Sequence, residues 1–345
     1  MVGTKHYDVV SIGTLTYDIS QPISDRGLKQ LNLPKGHSTL VSTSTFKKLA
    51  KSSKIKHKSA GGVGSNITIG LALNGAKTAM IGRIGADNLG KDFIKSFKKH
   101  GVDFTANPHP DKPTTALMSY VTPDGERSFA VMPGATSEVG PDDIDENLIK
   151  NSKITHIDTF LLQSPTGIEG MKYAARIARQ NDSIVAIGLN DENLMRKHKS
   201  TMRKMLENDA DVIIGSMDQF MAIFDTKDIN ETLVLAKTLN AKIALTQGEK
   251  DVYTIEGGVV SRVRVVPSER VVDTCGAGDQ FAAGVMKGIA DGYTVKDSAR
   301  QGVRWAKHII EKLGGIPTKK QAKIKLLDGP PPKKPKPRPR MSFAA

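Results

Sequence analysis

Cysteine is nearly absent from this 345-residue chain. Cys275 stands alone, so no internal disulfide can form, and the sequence fits a reducing, cytoplasmic compartment. No apolar run reaches the roughly 18 residues that a membrane-spanning helix needs, so no membrane association is expected. Met1–Gly13 lacks the apolar h-region and small-residue cleavage site of a signal peptide, and reads as a short first strand, Asp8–Gly13. Several phosphate-binding patterns are missing as well. The Walker sequence Gly-x-x-x-x-Gly-Lys-Ser/Thr does not occur, and neither do the protein-kinase signatures. A dinucleotide fingerprint starting at Gly276 fails because Phe281 stands where its last glycine belongs.

What is present describes a globular body. With 38% hydrophobic and 25% charged residues, the chain can bury a sizeable core in one large α/β domain or two ordinary ones. The net charge of +14 divides unevenly. Lys333, Lys334, Lys336, Arg338 and Arg340 contribute five charges within 329–345, a Pro-alternating stretch expected to be an extended, disordered tail open to an anionic partner. The rest is spread over clusters such as Lys47–Lys58, Lys95–Lys99 and Arg196–Lys204. Such a field could attract polyphosphates or nucleic acid, but a simply solvated, Lys-rich surface is the favoured reading.

Along 1–328, short β-branched runs alternate with amphipathic stretches. Strands are expected at Val9–Ile12, Ala79–Ile81, Ile154–Ile157, Ile184–Leu189, Val212–Ile214, Ile243–Thr246 and Val252–Ile255. Helices are expected at Ile67–Leu73, Leu89–His100, Ile168–Arg179, Leu194–Glu207 and Glu231–Thr238. That order implies a mainly parallel sheet covered on both faces. Two regions break the rhythm. Tyr17–Ser59 is polar and punctuated by Pro and Gly. Thr114–Pro133 reads as two strands, Ala116–Thr122 and Ser128–Met132, around the turn Pro123-Asp-Gly125. A β excursion of this kind is either a lid or a surface hairpin.

The densest chemical signal is Asp273-Thr-Cys-Gly-Ala-Gly-Asp279, preceded by a strand expected at Arg262–Val266. Phe281, Val285 and Ile289 recur every four residues, so a helix starts near Gly276–Asp279 and ends before Gly292. Its first turn offers unpaired N–H groups and the positive end of the helix dipole to an anion. Asp279 among those donors is either a favourable first-turn acid or a base that takes a proton from an attacking hydroxyl. A second cluster, Ala60-Gly-Gly-Val-Gly-Ser-Asn66, leads into the next helix, with Ser65 or Asn66 as its N-cap or Asn66 as a ligand contact. Cys275, near a helix start, is either a low-pKa thiol or one small residue among several tolerated there. Trp305 and His308 belong to a late helix, Ser298–Lys312, with core or nucleotide-flanking roles.

Together these segments resemble the ribokinase-like, PfkB-type superfamily of carbohydrate and nucleoside kinases over about Tyr7–Pro317. The resemblance implies a three-layer α/β/α fold with a small β lid, formed by about 17–59 and 114–133. It implies ATP and Mg²⁺ as cofactors, and transfer of the γ-phosphate to a hydroxyl of a small nucleoside or sugar. Asp279 matches the family's general base, and Gly276, Ala277 and Gly278 match its anion hole. Asp18, at the end of the first strand and turn, matches a substrate-hydroxyl-binding acid, and Gly61, Gly62 and Asn66 match further substrate contacts. Thr246 and Gly248 match a nucleotide-binding turn, and Asp273 a monovalent-cation (K⁺) site. Thr122–Ser128 and Leu189-Asn-Asp191 are most similar to adenosine-kinase-like members, favouring adenosine over ribose or fructose. The family's usual Asn-x-x-Glu, which organises Mg²⁺, is replaced here by Ser216-Met-Asp-Gln219. That change leaves open altered metal dependence, or a weakened homologue used as a structural or nucleic-acid-associated subunit. A monomer or homodimer is expected.

Overall fold

The computed structural model describes residues 5–52, 57–124, 126–319 and 321, so the 329–345 tail and Gly125 lie outside the described residues. In chain order the described strands are β1 (Tyr7–Ile12), β2 (Thr16–Pro22), β3 (Ser38–Leu40), β4 (His57–Gly61), β5 (Thr78–Ile81), β6 (Val102–Phe104) and β7 (Ala116–Val121). They continue with β8 (Arg127–Met132), β9 (Ser152–Asp158), β10 (Ile184–Gly188), β11 (Val212–Ser216), β12 (Lys242–Gln247), β13 (Lys250–Glu256) and β14 (Val259–Val263). Nine form a sheet ordered β14-β13-β12-β11-β10-β9-β1-β5-β6, parallel except at β12–β13 and β13–β14. This is the layered, mainly parallel α/β architecture expected from the alternation of short apolar runs and helices.

Strand residues explain the layers. Val9 and Val10 are neighbours in β1 but point to opposite faces, and both are fully buried. Val10, Ile12, Ile157, Ile187 and Ile213 meet the helices of one layer, including Met171, Ala174, Met202 and Phe220. Val9, Ile154, Ala186, Val212 and Ile214 meet the opposite layer through Ile67, Phe281, Val285 and Trp305. Trp305 is therefore a core residue.

The two regions that interrupt the α/β rhythm come together as one mixed sheet, ordered β3-β8-β7-β2-β4. One face, carrying Tyr17, Ile19, Met118, Tyr120 and Met132, is buried against Phe93 and Phe97 of the helix Asn88–His100. The opposite face carries a register-aligned row, Leu40–Val131–Leu117–Asp18–Ser59. β2 follows β1 after three residues, and β4 runs directly into the helix Val63–Leu73. The second sheet is thus joined to the first beside the carboxyl end of β1.

Some expectations are corrected. The strand expected at Arg262–Val266 lies at Val259–Val263, paired antiparallel with β13. The single helix expected at Leu194–Glu207 is two, Glu192–Lys197 and Lys199–Asn208. His198 between them leaves helical geometry at φ −110° and ψ 23°, and Met195, Met202 and Met205 all reach the same core. β2, β3, β4 and β6 carry too little apolar alternation to be read as strands.

The helix Ala277–Ala290 lies against Val295–Ile309 at very close range, because Gly284 faces the backbone of Gly302. A Cβ at position 284 would lie 2.6 Å from the Gly302 Cα. Gly284→Val is therefore expected to cost about 3 kcal/mol in urea unfolding, the usual scale of overpacking against unyielding backbone. A loss below about 0.5 kcal/mol, typical of a surface change, would refute this packing.

Candidate active site

In an open parallel sheet, ligands bind outside the carboxyl ends of the strands, where backbone donors and the following loops converge. β1, β9, β10, β11 and β12 all end on one side here, at Ile12, Asp158, Gly188, Ser216 and Gln247 respectively, with Thr14 and Asn190 two residues beyond their strands. Asp158 is fully buried and organises this edge. Its carboxylate accepts from Thr14 N (2.9 Å), Thr14 Oγ1 (2.7 Å), Phe160 N (2.9 Å) and Asn190 Nδ2 (2.7 Å). Burial raises its pKa and these donors oppose the rise. Sequence reading missed Asp158, because an acid ending a strand carries no motif.

The expected substrate and base residues lie together above it. Asp18 is the third residue of β2, not the end of the first strand, and its carboxylate faces Gly61 across the β2–β4 pair. A Cβ at Gly61 would come within 2.1 Å of Asp18 Oδ2, so only glycine allows this approach. The helix Val63–Leu73 begins earlier than expected, with Gly62 as its N-cap. Asn66 is consequently in the first turns rather than capping, and its Nδ2 donates to Asp279 Oδ2 at 2.8 Å. Burial pushes the Asp279 carboxyl up to about 6, opposed by the Asn66 hydrogen bond and reinforced by the Asp158 charge. Burial and the charge of Asp279 push Asp18 up to about 7, with Arg127 opposing. A carboxyl with a pKa near 6 can accept a proton at neutral pH and release it again.

Asp279 sits in the first turn of the helix Ala277–Ala290, whose N-cap Gly276 has φ 78°. A Cβ at Gly276 would lie 2.5 Å from Gly315 Cα, so both the left-handed backbone and the contact require glycine. At Gly278 the space is open, with no atom within 4 Å of a would-be Cβ. Two cavities meet there, sharing Thr246, Gly278 and Phe281. One, of about 230 Å³, is walled by Val252, Val265, Val303 and Ala306 and reaches Gly248. The other, of about 330 Å³, contains Asn190, Asp191, Ser216, Gln219 and Asp279. An apolar chamber opening onto a helix N-terminus fits a nucleotide, with its base in the first cavity and its phosphates at Gly276–Gly278.

Metal-binding expectations fare differently. Ser216 Oγ accepts from Gln219 N (3.1 Å), and Gln219 Oε1 accepts from Ser216 N (2.8 Å), a reciprocal cap on the helix Met217–Phe224. Asp218 is exposed and does not line the cavity. Asp191 does line it, but its side chain caps its own helix through Leu194 N (2.8 Å). No group of three or more His, Cys, Asp or Glu able to hold a metal occurs among the described residues. The oxygens lining the cavity, on Asn190, Asp191, Ser216 and Asp279, are hard donors of the kind Mg²⁺ takes, with phosphate oxygens and water to complete its shell.

Asp273 is already engaged. Its oxygens accept from Arg127 (2.5 Å), Cys275 N (2.7 Å) and Gly314 N (2.9 Å), and these contacts hold its carboxyl below the ordinary range despite burial. Arg127 comes from β8 of the second sheet, so the pair ties that sheet to the loop before the helix Ala277–Ala290. Its segment was recognisable in the sequence, but its reach to Asp273 was not. Of the two readings of Cys275, the structure favours one small residue among several tolerated there over a low-pKa thiol. The residue is exposed overall, yet burial of the sulfur and the nearby Asp18 and Asp273 charges push the thiol up to about 11.

Fold and site together define a small-molecule kinase of the ribokinase-like class. Residues 40–322 match the pfkB family of carbohydrate kinases, and the chain belongs to that family. It is 28% identical over 322 residues to a 5-dehydro-2-deoxygluconokinase of Geobacillus kaustophilus, covering 89% of this chain and 88% of that protein. It is 25% identical to a ribokinase of Haemophilus influenzae, covering 76% and 85%. Its fold superimposes on the adenosine kinase of Sinorhizobium meliloti with a TM-score of 0.83 and 29% identity, covering 92% of this chain and 97% of that one.

The raised Asp279 has a consequence for stability. The folded chain binds this proton more tightly than the unfolded chain, so the contribution of Asp279 to stability falls as pH rises from about 4 to about 6 and is flat above. Asp279→Asn removes this charge. In urea unfolding the variant is expected to exceed wild type at pH 8, with the gap narrowing toward pH 4. A variant no more stable than wild type at pH 8 would contradict the assigned burial of this charge.

Proposed function

We propose that this protein transfers the γ-phosphate of ATP to a hydroxyl of a nucleoside, adenosine being the favoured acceptor, with Asp279 as general base. The observation that carries this reading is Asp279 itself, a proton-accepting carboxyl at the mouth of a helix N-terminus that opens onto two joined cavities. Asp18, Gly61, Gly62 and Asn66 position the acceptor, and Asn66 also orients the base. Backbone N–H groups at Gly276, Ala277 and Gly278 stabilise charge on the transferring group. Thr246 and Gly248 border the nucleotide. Mg²⁺, when bound with the phosphates, neutralises their charge.

The nucleoside preference rests on the open face of the second sheet. Asp18 shares its cross-strand row with Leu117, Val131 and Leu40, and Leu40 is 75% exposed. Phe129 is half-buried one row away, in register with Ser119. An acceptor with a planar base covers that apolar strip, whereas a free sugar leaves it wet. In this reading residues 1–328 form one kinase unit, the second sheet is its lid, and the setting is cytoplasmic. K⁺ at Asp273 gains little support, because Arg127 already supplies a positive charge there.

An acceptor panel with ATP and Mg²⁺ tests this directly: adenosine, other nucleosides, ribose, fructose and 5-dehydro-2-deoxygluconate. Phosphorylated adenosine is the expected product, and Asp279→Asn is expected to lower kcat by about 10²–10⁴-fold. Turnover of a sugar alone would move the reading to a sugar kinase. No turnover, with nucleotide binding indifferent to the helix N-terminus, would favour the weakened-homologue alternative.

A further inference from the structure

The largest cavity described, about 600 Å³, is not the kinase site. It lies behind the second sheet, between β4, the helix Asn88–His100 and the segment 312–319. Two basic clusters distant in sequence converge there. Lys58, Lys95, Lys99, His100, Lys312 and Lys319 line the cleft, and Asp92 is the only acid among the lining residues. Asp92 is itself engaged by Tyr17 Oη (3.3 Å) and lies 3.8 Å from Lys95, a long and exposed pairing that neutralises little. Lys58, Lys99 and Lys319 have no carboxylate partner among the described residues. The Lys312 ammonium is turned to the Ile316 carbonyl.

Charges of one sign crowd each other in this cleft. Burial lowers the His100 pKa, the Ser96 carbonyl at 2.8 Å opposes, and Lys99 and Lys319 push it further down. Folding so many cations around a concave space without matching acids is unfavourable unless an anion completes it. The shape selects a compact ligand, because the basic residues come from three chain segments that line one cleft rather than forming a flat basic surface.

We propose that this cleft is a second ligand site that binds a small polyphosphate-bearing molecule and reports its presence to the kinase site. Two covalent connections carry the message. Tyr17 lines the cleft and the next residue is Asp18, while Lys58, Ser59 and Ala60 line it and lead to Gly61 and Gly62. On the other side, Lys312 and Gly314 line the cleft, and their segment holds the catalytic loop. Gly314 N donates to Asp273 Oδ2 (2.9 Å), and Gly315 O accepts from Gln280 Nε2 (3.2 Å) beside Asp279. An anion that draws Lys58, Lys99, Lys312 and Lys319 together therefore acts on both walls of the kinase site.

The test is calorimetric titration of the full chain with inorganic tripolyphosphate, alone and with saturating AMP-PNP in the nucleotide site. Binding is expected to persist beside AMP-PNP and to weaken at least tenfold in Lys95→Gln/Lys99→Gln. Lys197→Gln/Lys204→Gln, which removes the same charge from a distant basic cluster, is expected to leave it unchanged. AMP-PNP affinity should be equal in all three proteins. Loss of tripolyphosphate binding under AMP-PNP, or equal weakening in both double variants, would overturn the second site. If AMP-PNP itself fails to bind, the nucleotide reading fails, while the comparison of the two double variants still decides the cleft.

Discussion

A single buried carboxylate sets the geometry on which the rest of the site depends. Asp158 has no solvent exposure and receives four hydrogen bonds from three segments: the β1–β2 link, the turn after β9 and the loop after β10. Charge-assisted bonds of this kind, in a low-dielectric setting, hold their donors strictly in place because leaving any one unpaired is costly. The β1–β2 link is also where the second sheet departs from the first. The acid that fixes the floor of the site therefore fixes the angle at which Asp18 is delivered. Its negative charge also lifts Asp279 toward the pH at which a carboxyl can exchange protons.

Around that anchor, electrostatic elements are placed by backbone rather than by long side chains. The positive end of a helix faces the cavity through glycines, and the base is steadied by one amide, Asn66. Ser216 and Gln219, where a metal-organising pair was expected, are closed on themselves as a neutral helix cap. Asp273, where a monovalent cation was expected, is met by a guanidinium from the second sheet. Fixed positive charge thus stands where a mobile ion was expected, and it comes from the element we read as the lid.

Much of the α/β body was legible in the sequence, because strands such as Val212-Ile-Ile, buried on both faces, announce themselves as continuous apolar runs. The helix at Ala277–Ala290 was equally clear from its four-residue apolar spacing and its glycine ends. Of the second sheet, β7 and β8 were legible as a strand pair around a turn, but β2, β3 and β4 showed only as an interruption, since they bury one face and their pairing partners lie far apart in the chain. Asp18, Asn66 and Asp279 were named through motifs, yet the contact between Asn66 and Asp279 spans 213 residues and no local pattern encodes it. Asp158, Arg127 and the apolar wall at Val252, Val265 and Val303 owe their roles to tertiary placement alone. At Cys275 tertiary placement decides between two readings: a helix N-terminus lowers a thiol's pKa, but burial and neighbouring carboxylates outweigh it here.

The central claim is that a carboxyl raised by burial serves as the base. The pH dependence of kcat/KM, measured with the acceptor that turns over fastest, tests it most directly, because this quantity follows ionisations of the free enzyme. Activity should rise with pH along a limb of apparent pKa about 6 to 7, the range of the Asp279 and Asp18 pair, and then level off. In Asp279→Asn the residual activity should lose the Asp279 component of that limb. A rate that stays flat down to pH 5, or a limb identical in wild type and variant, would contradict the account.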